Sequence, residues 1–122
     1  MRLQNEMFTV VSEAIDEMQI RLNAEHFIYQ AHFPGNPITP GVCIVQIIGE
    51  LLQNRLGGKS LMLDRIVNLK FVSIISPTEH PEVTVKFSSV QPEEHECKVK
   101  GTLEAEGTVL TKFSVVFKYR EL

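Results

Sequence analysis

The sequence contains no tryptophan and only two cysteines, and no apolar run in it reaches the roughly 20 residues that span a bilayer. Cys43 and Cys97 lack the paired spacing of a zinc or redox site, so we interpret both as free thiols in a reducing compartment. The opening residues, MRLQNEMF, have neither the apolar stretch nor the cleavage site of a signal peptide, so a cytoplasmic protein is expected. A net charge of −3 and a pI near 5.8 argue against nucleic acid as the main partner.

The length of 122 residues is enough for one domain, residues 1–122, with one core. Three of the histidines, His26, His80 and His95, lie among charged residues without metal-ligand spacing. We interpret them as solvated turn residues and predict no metal site. The sequence contains no serine nucleophile elbow, phosphate-binding loop or dinucleotide fingerprint, which excludes the common enzyme classes built on those motifs.

The most distinctive stretch is HFPGNPITPGVCIVQIIGELLQNRLG, residues 32–57. Three prolines and two glycines in its first ten residues fix the path of a loop. The loop leads into a helix predicted over residues 42–56. Pro40 suits a helix start because its missing N–H costs nothing there, and the N–H of Gly41 has no partner inside the helix. Such an end can receive an anion or a carbonyl oxygen.

The predicted helix is apolar almost all the way round, which is typical of a helix enclosed by other structure. Gln46, Glu50 and Gln53 recur at i, i+4 and i+7 and form a single polar stripe. Because buried polar side chains need partners, we expect the stripe to face a partner, a cavity or a subunit interface. The alternative is that the stripe is the solvent side of the helix.

Period-two alternation of apolar residues predicts strands in most of the remaining chain. A strand pair is expected over residues 8–13 and 18–22, with Asp16 and Glu17 near the turn. A second alternation, Phe27, Tyr29 and Ala31, brings the chain to His32. Further strands are predicted over residues 66–75, 83–87, 97–103 and 109–119, with QPEEHE at a turn and Glu106-Gly107 in a hairpin. Five or six strands and one long helix predict an α+β fold, an antiparallel sheet wrapped around the helix.

The ten residues HFPGNPITPG, followed by VCIVQIIGELL, resemble the signature of the β-hydroxyacyl-(acyl carrier protein) dehydratases of fatty-acid synthesis. The stretch LKFVSIISPTEHPEVTV also falls where that family has a strand, a proline-containing turn and the next strand. A match with several fixed Pro and Gly positions after His-Phe is far more specific than a lone glycine motif. The resemblance implies the hot-dog fold, in which a curled sheet wraps around one long hydrophobic helix.

The resemblance also implies a reaction, the removal of water from a 3-hydroxyacyl thioester to give the trans-2-enoyl thioester. The substrate is carried on the phosphopantetheine of acyl carrier protein, and no further cofactor is implied. The histidine at the position of His32 is the base at the carbon next to the carbonyl, and the N–H at the position of Gly41 binds the thioester oxygen. Both roles suit a side chain that titrates near neutral pH and a helix N-terminus. Phe33, Pro40 and Val42 are expected to bind substrate beside them.

The sequence departs from the family at one position. The family carries Glu or Asp fourteen residues after the histidine, supplied by the facing subunit, and this chain has Gln46 there. An amide holds a leaving hydroxyl only by hydrogen bonds. Since general acid–base help is worth roughly 100-fold to 10,000-fold, Gln46 by itself predicts a slow dehydratase or none. Glu50, one helical turn further on, is a candidate replacement acid; the alternative is a stripe residue paired with Arg or Lys.

We expect a homodimer or a trimer of dimers that takes an acyl-thioester substrate from acyl carrier protein. Arg55, Lys59, Lys118 and Arg120 are candidates for receiving an acidic carrier, although short basic pairs usually just solvate a surface. Two alternatives to the dehydratase remain open. One is a non-catalytic acyl-thioester-binding subunit that has lost turnover with Gln46. The other is a thioesterase or enoyl isomerase on the same fold.

Overall fold

The computed structural model describes residues 2–32 and 34–120. These residues form one antiparallel sheet of six strands in the order β1-β2-β4-β5-β6-β3, together with two helices. The elements are β1 (Phe8–Glu13), β2 (Glu17–Leu22), α1 (Phe27–Ala31), α2 (Gly41–Arg55), β3 (Leu61–Phe71), β4 (Glu82–Pro92), β5 (Glu96–Ala105) and β6 (Thr108–Tyr119). The predicted architecture, a sheet with one long central helix, is confirmed.

Alternation along the strands determines which face of the sheet meets the helix. In β5, Cys97, Val99 and Leu103 are buried, whereas Lys98 and Lys100 between them are exposed. The buried face packs in one core with the apolar residues of α2: Ile44, Val45, Ile47, Ile48, Leu51 and Leu52. Each fully buried aliphatic side chain contributes about 1.5–3 kcal/mol, so this layer is the main source of stability.

Gly101 marks the place where the sheet bends over the helix. A side chain there would collide with the backbone carbonyl of Lys86. The rings of Phe87 and Phe113, both paired in register with Gly101, meet edge to face with centroids 6.1 Å apart. A bulge in β4 between Phe87 and Ser89 lies beside this point. Glycine and a bulge together give a strand pair a sharp local bend.

The alternation of Phe27, Tyr29 and Ala31 belongs to a short helix, α1, and its strand-like period is misleading. His26 is the N-cap, and its Nδ1 accepts a hydrogen bond of 3.2 Å from the N–H of Ile28. Capping of this kind favours a helical turn over an extended segment. His26 is itself buried, so its interpretation as a solvated turn residue was wrong.

Two strand boundaries also differ from those predicted. β3 covers Leu61–Phe71 rather than residues 66–75, because the N–H groups of Val72 and Ser73 both donate to the carbonyl of Leu110 and turn the chain away. β4 continues through Pro92, so the turn after it is shorter than QPEEHE. The hairpin at Glu106-Gly107 is confirmed by positive φ angles of 52° and 79°. Within residues 2–32 and 34–120, no helix has the length and hydrophobicity required to cross a bilayer.

Candidate functional site

The start of α2 is confirmed as predicted and opens into a cleft. Pro40 is the N-cap, with an extended backbone (φ −62°, ψ 148°), and Gly41 is the first helical residue. The first N–H groups of a helix have no acceptor within it. Pro40 and Gly41 both line a cleft of about 350 Å³. Its other walls are mainly apolar and comprise Ile38, Thr39, Ile44, Phe71, Val72, Ser73, Ile74 and Ile75.

Phe71 and Gly41 fit together at the mouth of this cleft. A Cβ atom added to Gly41 would lie 2.9 Å from Cζ of Phe71, closer than such contacts allow. The missing side chain therefore lets the phenyl ring approach the helix start. Phe71 is 51% exposed, so its ring borders both the cleft and solvent.

The loop before α2 is fixed to the core by hydroxyl groups. The hydroxyls of Tyr29 and Thr39 are hydrogen-bonded at 2.8 Å, and the N–H of Thr39 donates to the carbonyl of Ile75 at 2.8 Å. Tyr29 is fully buried, and this burial, only partly offset by the bond to Thr39, raises the pKa of Tyr29 to about 12. A neutral phenol thus holds Pro40 and Gly41 in position.

The polar stripe of α2 faces a second cavity, as the sequence predicted. Gln46, Glu50 and Gln53 line a space of about 370 Å³ together with Arg2 and Arg120. Gln53 Oε1 also accepts a hydrogen bond of 3.0 Å from the N–H of Leu61, which connects the helix to β3. Glu50 is buried and Gln53 half-buried, whereas Gln46 is exposed, so the interpretation of the stripe as the solvent side of the helix applies to Gln46 and is wrong for Glu50.

Glu50 is buried, with 2% of its surface exposed, and accepts three hydrogen bonds. Its Oε2 accepts from the N–H of Leu3 at 2.7 Å and from Nε2 of Gln46 at 2.9 Å, and its Oε1 accepts from the N–H of Gln4 at 2.8 Å. The alternative of an ion pair with Arg or Lys is wrong, because the partners are N–H groups. Glu50 ties the residues before β1 to α2 and orients the amide of Gln46.

The remaining predicted site residues lie apart from one another. His32 is exposed at the C-cap of α1, and its N–H donates to the carbonyl of Ile28 at 3.0 Å. It is not among the described residues that line either cavity. Val42 is 80% exposed and borders the cavity of the polar stripe. Phe33 lies outside the described residues. A single chain therefore holds Gly41 and Gln46 in different cavities and His32 at the surface.

Sequence reasoning did not identify Phe71 or the backbone of Leu3 and Gln4 as parts of these sites. Their partners are distant in the chain, up to 47 residues apart for Leu3 and Glu50. The one local signal was Tyr29, a hydroxyl-bearing residue in an apolar alternation, since a buried tyrosine usually requires a hydrogen-bond partner.

The curled sheet around α2, with a cavity at the helix start and another along its polar stripe, defines a hot-dog protein. Solved structures support this class. A thioesterase from Haemophilus influenzae is 14% identical, with a TM-score of 0.65 over 96% of this chain and 81% of that chain. The dehydratase heterocomplex ApeI:P from Xenorhabdus doucetiae is 16% identical, with a TM-score of 0.58 over 88% of this chain and 91% of that chain. Both show that the predicted fold is right.

Residues 10–111 match the ApeI-like family, described as ApeI dehydratase. The chain belongs to this ApeI-like dehydratase family.

Two curated relatives are 3-hydroxyacyl-(acyl-carrier-protein) dehydratases named FabZ. The one from Lactiplantibacillus plantarum is 36% identical over 55 residues, which cover 40% of this chain and 37% of the relative. The one from Oenococcus oeni is 28% identical over 81 residues, which cover 62% of this chain and 57% of the relative. The aligned stretch therefore spans less than two thirds of the length of either relative.

Proposed function

We propose that this protein dehydrates a 3-hydroxyacyl thioester, carried on the phosphopantetheine of acyl carrier protein, to the trans-2-enoyl thioester. The observation that carries the proposal is the start of α2 at Gly41, where a helix N-terminus opens into an apolar cleft of about 350 Å³. Such a cleft suits an acyl chain, and the helix N-terminus suits an oxygen that gains negative charge. Membership of a dehydratase family and similarity to FabZ enzymes agree with this chemistry.

In the proposed reaction the thioester oxygen accepts a hydrogen bond from the N–H of Gly41. Imidazole of His32 removes a proton from the carbon next to the carbonyl, and the negative charge moves onto that oxygen, where the helix N-terminus stabilises it. The electron pair then returns, the C3–O bond breaks, and the imidazolium gives its proton to the departing hydroxyl, so that water leaves. The amide of Gln46 holds this hydroxyl by hydrogen bonds.

This reaction requires a second copy of the chain, because within one copy Gln46 lines a different cavity from Gly41 and His32 lines neither. β3 is suited to that contact, since it is an edge strand with β6 as its one neighbour in the sheet. Five of its apolar side chains are 41–65% exposed: Met62, Leu63, Ile66, Val67 and Phe71. An apolar edge strand is a template for pairing with another strand. We propose a homodimer joined at β3, in which His32 of one copy and Gln46 of the other act on the same substrate molecule.

The reaction is tested with purified protein and both a 3-hydroxyacyl and a trans-2-enoyl thioester, following dehydration, hydration and release of free thiol. We expect interconversion of the two thioesters, with a loss of at least 100-fold in His32→Ala. His26→Ala is not a suitable control because His26 caps α1; the exposed His95 supplies a control in His95→Ala. Release of free thiol without interconversion of the two thioesters would indicate a thioesterase and contradict the dehydratase.

The shared site is tested by mixing two inactive variants, His32→Ala and Gln46→Leu. If one copy supplies His32 and the other Gln46, each mixed dimer has one intact site and one doubly altered site. Random exchange of subunits makes half of the dimers mixed, and one of the two sites in each mixed dimer is intact. About a quarter of the wild-type rate is therefore restored. A mixture as inactive as its components would contradict the shared site.

A second candidate, a non-catalytic acyl-thioester-binding subunit, is favoured by one observation. The amide of Gln46 stands where the family carries a carboxylic acid, and the neighbouring Glu50 accepts hydrogen bonds from three N–H groups. Binding of the enoyl thioester without any product in the same assay would support this candidate and contradict the dehydratase.

A further inference from the structure

The lysines of the sheet are concentrated on the face that points away from α2. The strand register places six of them on this outer face: Lys70, Lys86, Lys98, Lys100, Lys112 and Lys118. The protein as a whole carries a net charge of −3. The same register also places Glu17, Glu82, Glu96 and Glu104 on this face, so the lysines lie among carboxylates and only those without such a partner leave a positive local charge.

Half of these lysines are neutralised by carboxylates of the same chain. The ion pairs are Lys86–Glu104 at 3.2 Å, Lys98–Glu93 at 3.6 Å and Lys118–Asp64 at 3.4 Å. All three pairs are at least partly exposed, and pairs of that kind contribute little to stability. They nonetheless cancel the local field of their lysines.

The other three, Lys70, Lys112 and Lys100, form what we call the lysine row. Lys70 of β3 lies directly opposite Lys112 of β6, and Lys100 of β5 pairs with Ser114, two residues from Lys112. Among the residues described, none of the three has a carboxylate within 4.0 Å. Like charges directly opposite each other destabilise a sheet. The facing lysines therefore do not stabilise the fold. Residues that are unfavourable for stability are typical of functional surfaces.

The lysine row begins beside the candidate site. Lys70 is followed by Phe71, the residue that borders the cleft and closes against Gly41. From there the row crosses β6 to β5, a width of about 10 Å at the usual strand spacing. Successive side chains of a strand point to opposite faces of the sheet, so the row lies on the outer face and the cleft on the face toward α2. A partner bound to the row therefore leaves the cleft uncovered.

We infer that the lysine row is the docking surface for the acidic face of the acyl carrier protein that delivers the thioester to the cleft. This inference rests on the proposed function. Because the chain as a whole is negative, an acidic partner is repelled by much of its surface and attracted by this row, which selects one orientation. The row supplies three uncompensated positive charges within reach of one protein surface.

Three of the four basic residues that the sequence suggested for the carrier, all except Arg120, are engaged within the chain. Arg55 binds Asp16 at 2.9 Å, Nζ of Lys59 lies 5.1 Å from the centre of the Tyr119 ring, and Lys118 is paired with Asp64. The lysine row is therefore a better candidate for the carrier surface than the basic residues at the ends of α2 and β6.

The experiment compares two triple variants with equal loss of charge on the same face. K70Q/K100Q/K112Q removes the row, and K86Q/K98Q/K118Q removes the three lysines that are already neutralised. Binding of an acidic, phosphopantetheinylated acyl carrier protein is measured directly at low and at physiological salt. In parallel, turnover is measured with a 3-hydroxyacyl group on that carrier and on N-acetylcysteamine, a thiol too small to reach the row.

We expect the row variant to raise the Kd for the carrier about tenfold and to lose most of its salt dependence, with less than a twofold change in the control variant. Turnover of the small thioester should be unchanged in both variants. Equal weakening in the two variants, no weakening in the row variant, or no carrier binding by the wild type would overturn the inference. Carrier binding that requires the row, without turnover of either thioester, would support the docking surface and contradict the proposed function.

Discussion

The amide of Gln46 donates a hydrogen bond of 2.9 Å to the carboxylate of Glu50. The two residues are one helical turn apart on α2, and Glu50 is in turn held by the N–H groups of Leu3 and Gln4. The position that the sequence resemblance assigns to the acid of the dehydratases is therefore occupied by an amide that a buried carboxylate orients. Residue 46 and Glu50 act as one unit, and substitutions at either will affect both.

Gln46→Glu should increase the rate of dehydration about 100-fold. The introduced carboxyl lies within hydrogen-bond distance of Glu50, and two carboxyl groups so close favour holding a proton between them. The pKa of the introduced group is thereby raised, so that it can serve as a general acid near neutral pH. The rate of this variant should fall as pH rises, because the acid is lost. The initial rate as a function of pH measures the effect.

Gln53→Glu is the matched control for that change, since Gln53 lines the same cavity but bonds to Leu61 rather than to Glu50. It should leave the rate within about threefold of the wild type. An equal gain in both variants would show that added negative charge in the cavity, rather than an acid at position 46, is responsible.

Glu50→Gln should lower the free energy of unfolding by about 2 kcal/mol. The amide retains one acceptor oxygen but directs an NH₂ group at a buried N–H, which leaves donors without acceptors. Thermal unfolding measured by circular dichroism tests this, with Gln53→Glu as a second, less buried reference. If Glu50 is the acid, activity falls together with stability. Full activity in the folded variant would exclude Glu50 as the acid.

Gly41→Ala should reduce kcat/KM about tenfold while leaving the fold intact. The added methyl group would lie 2.9 Å from Cζ of Phe71, and the half-exposed ring can move outward at the expense of the cleft. The double variant Gly41→Ala/Phe71→Ala should recover part of the loss, because the collision is relieved. Gly49→Ala provides contrast: its Cβ would lie 3.0 Å from the buried ring of Phe117, so stability should fall instead. Failure of the double variant to recover would assign the loss to the helix start itself.

Tyr29 should make stability depend on pH in alkaline solution. Its pKa is raised from 10 in the unfolded chain to about 12 in the fold, so folding favours the neutral phenol. The stabilisation is fully present below pH 10 and is lost as pH rises through 12, a change of about 2–3 kcal/mol. Urea unfolding between pH 9 and pH 12 measures it.

Tyr29→Phe should abolish that part of the pH dependence. Burial also raises the pKa of Cys43 and of Cys97, and their effect has the same sign. Both thiols are present in the variant, so the difference between the two proteins reports Tyr29. Identical slopes above pH 10 would show that the phenol does not titrate with unfolding.

Much of the fold follows from local pattern. Side chains repeat every 3.6 residues in a helix and every two residues in a strand. This periodicity is enough to identify α2 as a helix, β5 and β6 as strands, and the residues of each that are buried. The start of α2 is equally local, since a proline suits the beginning of a helix, where its missing N–H leaves no bond unmade. The short helix α1 was missed because three alternating apolar residues suggested an extended segment. The cap provided by His26 favours a helical turn there instead.

The sequence by itself was sufficient for the long helix, the curled antiparallel sheet, the polar stripe and the opening at Gly41. It did not reveal that Glu50 accepts from Leu3 and Gln4, that Phe71 closes on Gly41, or that Lys70 faces Lys112. Each of these contacts joins residues 30 or more positions apart in the chain. Hydrogen-bond and charge partners at such separations are set by strand register and by packing around α2, which exist only once the sheet has closed over the helix.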